Sequence, residues 1–121
     1  MIIKENLNKV SEELKIAVIS EDSTTIRHLK NPSREIQLLS IRLDGNNIRF
    51  LKNPSKEIQH EAVKQNGLAI KHIKHPSRTT QRLAVQQNGD AVDFITNPSK
   101  TIRLEAENQK NLKGNMVMED E

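Results

Sequence analysis

Apolar residues recur along this chain at a fixed interval of 22 residues, with polar turns between them. Within one interval, a Pro-Ser pair is followed by aliphatic residues that lie four or five positions from one another. A glycine then precedes a second aliphatic pair. A spacing of four places both side chains on one face of a helix. We number the positions of the interval as columns 1 to 22, with column 1 at residues 9, 31, 53, 75 and 97.

A short motif marks each interval. Asn-Pro-Ser occupies residues 31–33, 53–55 and 97–99, and His-Pro-Ser occupies 75–77. Column 15 is Gly45, Gly67 and Gly89 in the three best-kept units. Residues 9–30 retain the serine and the aliphatic columns but lack the proline and the glycine. Self-similarity at a fixed period of this length is the signature of a repeat architecture.

Each unit is predicted to form two helices. Proline suits the first turn of a helix, where its missing N–H is not needed, and the neighbouring Asn or Ser can cap the free N–H groups there. The first helix should span about ten residues and end at the glycine, which would supply a left-handed residue. A second helix of about two turns, 3₁₀ in part, should end before the next proline.

Stacking such units predicts an all-α fold, a short right-handed α-solenoid of two-helix repeats. The expected single domain covers 1–115, with units at 9–30, 31–52, 53–74, 75–96 and 97–115. Residues 1–8 should form an N-terminal cap through Ile3 and Leu7, and 116–121 a flexible acidic tail. Column 11 changes to Glu107 and column 18 to Gly114 in the last unit. The short helix of that unit is therefore expected to be lost.

The repeat resembles known helical repeats through residues 53–59 (Asn-Pro-Ser-Lys-Glu-Ile-Gln) and 62–67 (Ala-Val-Lys-Gln-Asn-Gly). It is similar to an uncharacterised family of Asn-Pro-Ser/Gln-Asn-Gly repeats, and more loosely to the leucine-rich repeat variant and to HEAT repeats. This resemblance covers residues 9–112. It implies an α-solenoid that serves as a binding scaffold, and it implies no catalytic residues.

Composition narrows the function. Aromatic residues make up 2% of the chain, cysteine is absent, and the formal net charge is +3. A disulfide scaffold, a thiolate metal site and a cysteine nucleophile are thereby excluded. The beginning of the chain lacks the apolar region of a signal peptide, and no run is long enough to span a bilayer. We therefore expect a cytoplasmic protein without a membrane partner, a cofactor or an enzymatic activity.

The basic residues are concentrated in three columns, which hold ten of the 19 Lys and Arg residues. Columns 19 and 22 fall near the end of the second helix, where positive charge complements the helix dipole. Column 4 falls in a first helical turn, where the dipole favours acids. Columns 22 and 4 flank the proline turn, so stacking is expected to align them along one basic edge. The candidate partner-binding residues are Arg34, Lys56, Arg78 and Lys100 (column 4), Lys30, Lys52 and Lys74 (column 22), and Arg27, Arg49 and Lys71 (column 19).

These columns are open to several interpretations. They can be a solvated face, a contact for the acidic surface of a protein partner, or a contact for nucleic acid. The scarcity of aromatic residues for base stacking argues against nucleic acid. The leading hypothesis is a protein-binding scaffold that acts through its concave face or this basic edge. A nucleic-acid module, a small phage-type inhibitor of a nuclease or defence protein, and a fragment of a longer repeat protein are the alternatives.

Two other sets of polar residues are candidate sites. His72 and His75 lie three residues apart, but a zinc site generally needs three or four ligands, so surface histidines are expected. Column 7 holds Gln37, Gln59 and Gln81, and column 13 holds Gln65, Gln87 and Gln109. Such amide ladders favour a structural role of bonding to neighbouring turns, and the alternative is the lining of a peptide-binding groove.

Overall fold

The described part of the chain is helical throughout. The computed structural model describes the backbone of residues 4–119 and the side chains of residues 6–112, and no strand occurs in that backbone. Ten-residue α-helices alternate with six-residue 3₁₀-helices, as the repeat predicts. The elements are η1 (Lys4–Lys9), α1 (Glu12–Glu21), η2 (Ser23–His28), α2 (Arg34–Leu43), η3 (Gly45–Phe50), α3 (Lys56–Gln65), η4 (Gly67–His72), α4 (Arg78–Gln87), η5 (Gly89–Phe94) and α5 (Lys100–Glu119).

The serine of column 3 starts each of the first four α-helices. Ser33, Ser55 and Ser77 have extended backbone, and each side chain accepts a hydrogen bond from the N–H three residues ahead. Ser11 caps α1 in the same way although its unit lacks the proline. A cap of this kind stabilises a helix by about 1 kcal/mol. The serine therefore determines where the helix begins.

Column 14 both ends the α-helix and begins the 3₁₀-helix. Asp44, Asn66 and Asn88 donate their backbone N–H to the last α-helical turn, while their side chains accept from the N–H two residues ahead. The residue is thus the C-cap of one helix and the N-cap of the next, which explains why a short polar side chain recurs there.

The predicted left-handed glycine is wrong. No glycine in the described backbone has a positive φ, whereas column 1 does: Asn31, Asn53, His75 and Asn97 have φ between 46° and 51°. The chain reverses at column 1, directly before the proline. Asn and His are among the residues that tolerate this conformation best, and the residue before proline avoids the right-handed helical region.

The glycines of column 15 allow two units to approach closely. A Cβ added at Gly67 would overlap the carbonyl oxygen of Ala84 in the next unit, and Gly45 and Gly89 face Ala62 and Ala106 in the same way. Because the obstacle is backbone, it cannot move aside as a flexible side chain could. The glycine and the small alanine of column 10 are therefore two sides of one contact.

Each helix packs against its counterpart in the next unit. Contacts link α1 to α2 and so on to α5, and likewise η2 through to η5. The core lies in a thin layer between the two rows of helices and is formed by aliphatic side chains of columns 6, 11 and 18, such as Ile58, Val63 and Ile70, which are at most 2% exposed. A layer this thin needs no aromatic residues, which accounts for the composition.

Polar side chains also connect the units. Gln65 Oε1 accepts the backbone N–H of Gly45 at 2.6 Å, and Gln87 Oε1 accepts that of Gly67 at 2.6 Å. These bonds satisfy the first amide of η3 and of η4. The structural role expected for column 13 is thus observed at these two glutamines.

The two ends depart from the repeat. Leu7 of η1 is buried and Ile3 lies outside the described residues, so the N-terminal cap formed by both stays a prediction. At the other end α5 continues to Glu119 with no break after column 13, since Lys110 and Asn111 replace the capping residue and the glycine. The short helix of the fifth unit is therefore absent from the described chain, as expected. Of the predicted flexible tail at 116–121, the backbone of 116–119 belongs to α5 and residues 120–121 lie outside the described ones, so its flexibility stays a prediction.

Candidate functional site

Three pockets recur at equivalent positions along the row of 3₁₀-helices. Their volumes are about 530, 590 and 590 Å³. Each is formed by columns 19, 21 and 22 of one unit and by columns 1, 2, 7 and 20 to 22 of the next. Neighbouring pockets share residues: Leu51 and Lys52 line the first two, and Ile73 and Lys74 line the last two. The three pockets therefore form one continuous groove, which we call the basic groove.

Cations line the basic groove and acids do not. No Asp or Glu is among the residues lining these three pockets. The cations lie at columns 19 and 22, are exposed to solvent, and form no ion pair with any described residue. These groove cations are Arg27, Lys30, Arg49, Lys52, Lys71 and Lys74.

One ring lines each pocket at column 20, namely Phe50, His72 and Phe94 in turn. The guanidinium of Arg49 lies 4.6 Å from the centroid of Phe50, and the Lys71 Nζ lies 5.7 Å from that of Phe94. Cations at this distance are attracted to the face of a ring. The rings thus hold two of the groove cations in place, and both phenylalanines of the chain lie here.

The proline turn forms part of each pocket and is tied down by column 7. The Nε2 of Gln37, Gln59 and Gln81 donates to the carbonyl oxygen of Pro32, Pro54 and Pro76 at 2.9, 3.1 and 3.1 Å, respectively. All three glutamines line the groove and are half-buried. The expected structural role of column 7 is thus observed, and it orients an amide within each pocket.

Column 4 lies apart from the basic groove. Arg34, Lys56, Arg78 and Lys100 each occupy the first position of an α-helix and are exposed. None of them is among the residues lining the three pockets. The structure therefore brings columns 19 and 22 together in one groove and does not add column 4 to it.

Arg34 differs from the other members of column 4 because it has an acidic partner. Its guanidinium donates two hydrogen bonds to Glu57 in the next unit, and the Arg34 Nε lies 2.8 Å from the Glu57 Oε2. These bonds lower the pKa of Glu57 and raise that of Arg34. The following units carry Thr79 and Thr101 at the position of Glu57, so this pair is not repeated.

The other ion pairs also lie outside the basic groove. Arg42 pairs with Glu61 at 3.5 Å and Arg82 with Glu105 at 3.0 Å, each between successive α-helices. Lys110 and Asp90 are 3.6 Å apart. Within the described chain, the paired cations therefore lie on or beside the α-helices, and the groove cations remain unpaired.

His72 lies in the middle pocket between cations of two units. Its pKa is lowered, first by burial and then by the positive charges of Lys71 and Arg49. A neutral imidazole is therefore favoured at neutral pH. Across the residues that the structure describes, no group of three or more His, Asp or Glu side chains is arranged to hold a metal ion.

The sequence reasoning did not single out the rings of column 20. They alternate as His28, Phe50, His72 and Phe94, one per unit. The periodicity alone could have exposed this column. Its importance is visible only in the structure, where each of the last three rings lines the pocket between its own unit and the preceding unit.

Comparison with known proteins adds no relative. No family model, curated protein or solved structure matches this chain. Along the described helices, none combines the length and the apolar character that crossing a membrane requires.

Proposed function

We propose that the chain is a short right-handed α-solenoid and a non-catalytic scaffold that binds an acidic partner protein along the basic groove. The solenoid is supported by contacts that link each helix to its counterpart in the next unit. The binding surface is supported by one observation above all: six exposed, unpaired cations line a continuous groove from which acids are absent. Like charges held along one groove repel each other, and an acidic ligand relieves that repulsion.

Column 4 has a smaller part in this proposal than columns 19 and 22. Lys56, Arg78 and Lys100 stand at helix starts outside the groove, and Arg34 is already neutralised by Glu57. These residues are exposed enough to add long-range attraction to an acidic partner. They are also a natural control, because removing their charge changes the net charge without changing the groove.

Nucleic acid is the second candidate, because each pocket holds a ring and the walls are basic, as in grooves that bind single strands. The argument is weaker at Phe50. One face of that ring carries Arg49, and the ring packs against the buried cluster of Ile19, Ile26 and Ile36. A ring covered in this way offers little surface for base stacking.

The experiment compares two triple variants that lower the formal net charge equally, from +3 to zero. One carries Lys30→Gln, Lys52→Gln and Lys74→Gln in the groove. The other carries Lys56→Gln, Arg78→Gln and Lys100→Gln at column 4. Binding of labelled poly-L-glutamate is measured by calorimetry at about 0.15 M salt, where more distant charges are screened.

The groove triple is expected to weaken binding by about 3- to 150-fold, since three exposed ion pairs at about 0.2–1 kcal/mol each sum to about 0.6–3 kcal/mol. The column 4 triple should change the affinity by less than about threefold. Equal losses in both variants would show that net charge alone attracts the ligand, and the groove would then be rejected as the site. Tighter binding of an oligothymidylate of matched charge, with a steep salt dependence, would favour the second candidate.

A further inference from the structure

The glutamines of column 7 leave an amide oxygen and one of the two Nε2–H donors open in each pocket. The Nε2 of Gln37, Gln59 and Gln81 is engaged by a proline carbonyl. The Oε1 of each has no partner among the described residues and is not among the buried, unsatisfied atoms. Because the bond at Nε2 fixes the plane of the amide, Oε1 is held at the same place in successive units. The basic groove therefore carries a regular row of acceptors among its cations.

An acceptor in a cationic groove restricts the chemistry of the ligand. A phosphodiester backbone offers only acceptor oxygens, so it can accept the free Nε2–H of the amide but has no hydrogen to donate to Oε1. A peptide supplies an N–H at every residue except proline, and its Asp and Glu side chains supply the negative charge. A ligand with both donors and acids fits this groove better than a ligand with acids alone.

The repeat distance also suits an extended chain. Packed helices lie about 8–10 Å apart, and a chain extended in the polyproline II form advances about 3.1 Å per residue and presents every third residue to the same side. Three residues of such a chain therefore match one unit, which would place an equivalent residue of the ligand in every pocket. The aliphatic side chains of column 21, such as Leu51 and Ile73, and the prolines give each pocket an apolar part.

We propose that the basic groove holds its partner as an extended acidic peptide, about three residues per unit. In this arrangement Gln37, Gln59 and Gln81 accept hydrogen bonds from peptide N–H groups, and the groove cations pair with acidic side chains. The inference rests on the proposed function, and it specifies the form in which the partner protein is bound.

The test changes the ligand and leaves the protein intact. The parent probe is a synthetic peptide of four Glu-Val-Ser triplets with blocked ends, a composition that favours extended chain over helix. Three derivatives carry N-methyl groups at every Glu, at every Val or at every Ser. Each derivative keeps the charge of the parent and loses one third of its N–H donors.

Methylation at one of the three positions of the triplet is expected to weaken binding by about tenfold or more, and methylation at either of the other two positions by less than about threefold. The triple variant Gln37→Met, Gln59→Met and Gln81→Met should bind the parent peptide more weakly than wild type does, by a similar factor. For this variant, methylation at the sensitive position should cause no further loss of affinity, as a double-mutant cycle requires. The matched control is Gln65→Met with Gln87→Met. These amides bond to the neighbouring unit outside the groove, so the penalty for methylation should persist there.

Equal binding of the parent and all three methylated peptides would overturn the extended-chain arrangement. If the groove triple of lysines still lost affinity in that case, the proposed function would stand without it. Tighter binding of an oligothymidylate of equal charge would also overturn the inference. If wild-type protein binds neither the parent peptide nor poly-L-glutamate, both proposals are rejected.

Discussion

His72 reports on the charge of the basic groove at the scale of a single residue. Burial and the neighbouring charges of Lys71 and Arg49 lower its pKa, and Lys52 and Lys74 line the same pocket. An acidic ligand would offset those charges and raise the pKa again. Binding of such a ligand should therefore be accompanied by uptake of a proton on the imidazole.

The affinity for poly-L-glutamate is accordingly expected to rise as the pH falls from about 7.5 to about 6. The His72→Phe variant should show a flatter pH profile, because Phe50 and Phe94 demonstrate that column 20 accepts this ring. The informative quantity is the difference between the two pH profiles, since the other histidines are present in both proteins. Identical profiles would show that no ligand charge reaches His72.

The same pKa has a consequence for stability. Because the folded state disfavours the imidazolium, the unfolded chain binds a proton more readily between the two pKa values. The contribution of neutral His72 to the free energy of unfolding is therefore present at neutral pH and declines as the pH falls below about 6.5. His72→Phe should remove this part of the acid sensitivity.

At the scale of the element, the glycine of column 15 allows each 3₁₀-helix to approach the α-helix of the next unit. The Gly67→Ala substitution would place a Cβ against the Ala84 carbonyl oxygen. Overpacking of this kind costs about 1–3 kcal/mol of unfolding free energy. Thermal or urea denaturation followed by circular dichroism would measure it.

Gln86→Ala is the matched control for that substitution, because Gln86 is exposed on α4. It should change the unfolding free energy by less than about 0.5 kcal/mol. A Gly67→Ala protein as stable as wild type would mean that the units do not approach as closely as the structure has them.

These glycines also show how far the sequence could predict the elements. The serine cap, the proline and the aliphatic spacing act within one helix, so the helix positions follow from local pattern. The role of Gly67 depends on Ala84 in another unit, and a local pattern favoured a left-handed turn there instead. The left-handed residue is Asn53 or its equivalents, whose conformation is imposed by the chain reversal before proline.

At the scale of the whole molecule, positive charge is sorted by location. The cations of columns 19 and 22 line one groove without acidic partners, whereas three ion pairs join neighbouring α-helices outside it, namely Arg34–Glu57, Arg42–Glu61 and Arg82–Glu105. The sequence could predict the basic columns from their period. It could not predict that Arg34 and its equivalents stand outside the groove, since the pockets exist only between stacked units.

The two ends of the stack have different surfaces. In the first unit Leu14 is 41% exposed, whereas its counterparts Ile36 and Ile58 are at most 2% exposed. In the last unit Glu107 replaces the buried aliphatic of column 11 and is exposed. Polar terminal units are typical of stacked repeats; Glu107 is polar at this end, but Leu104 and Leu112 of the same unit are exposed as well. The groove lies between these ends, along η2 to η5.

The central claim is that the basic groove is the binding surface, and NMR mapping of ¹⁵N-labelled protein titrated with the Glu-Val-Ser peptide tests it most directly. We predict that shift changes concentrate at equivalent columns of successive units, around Leu29–Asn31, Leu51–Asn53 and Ile73–His75. Amides at the starts of the α-helices, such as Lys56 and Arg78, should change little. Changes concentrated on those helix starts, or spread evenly over the surface, would contradict the account.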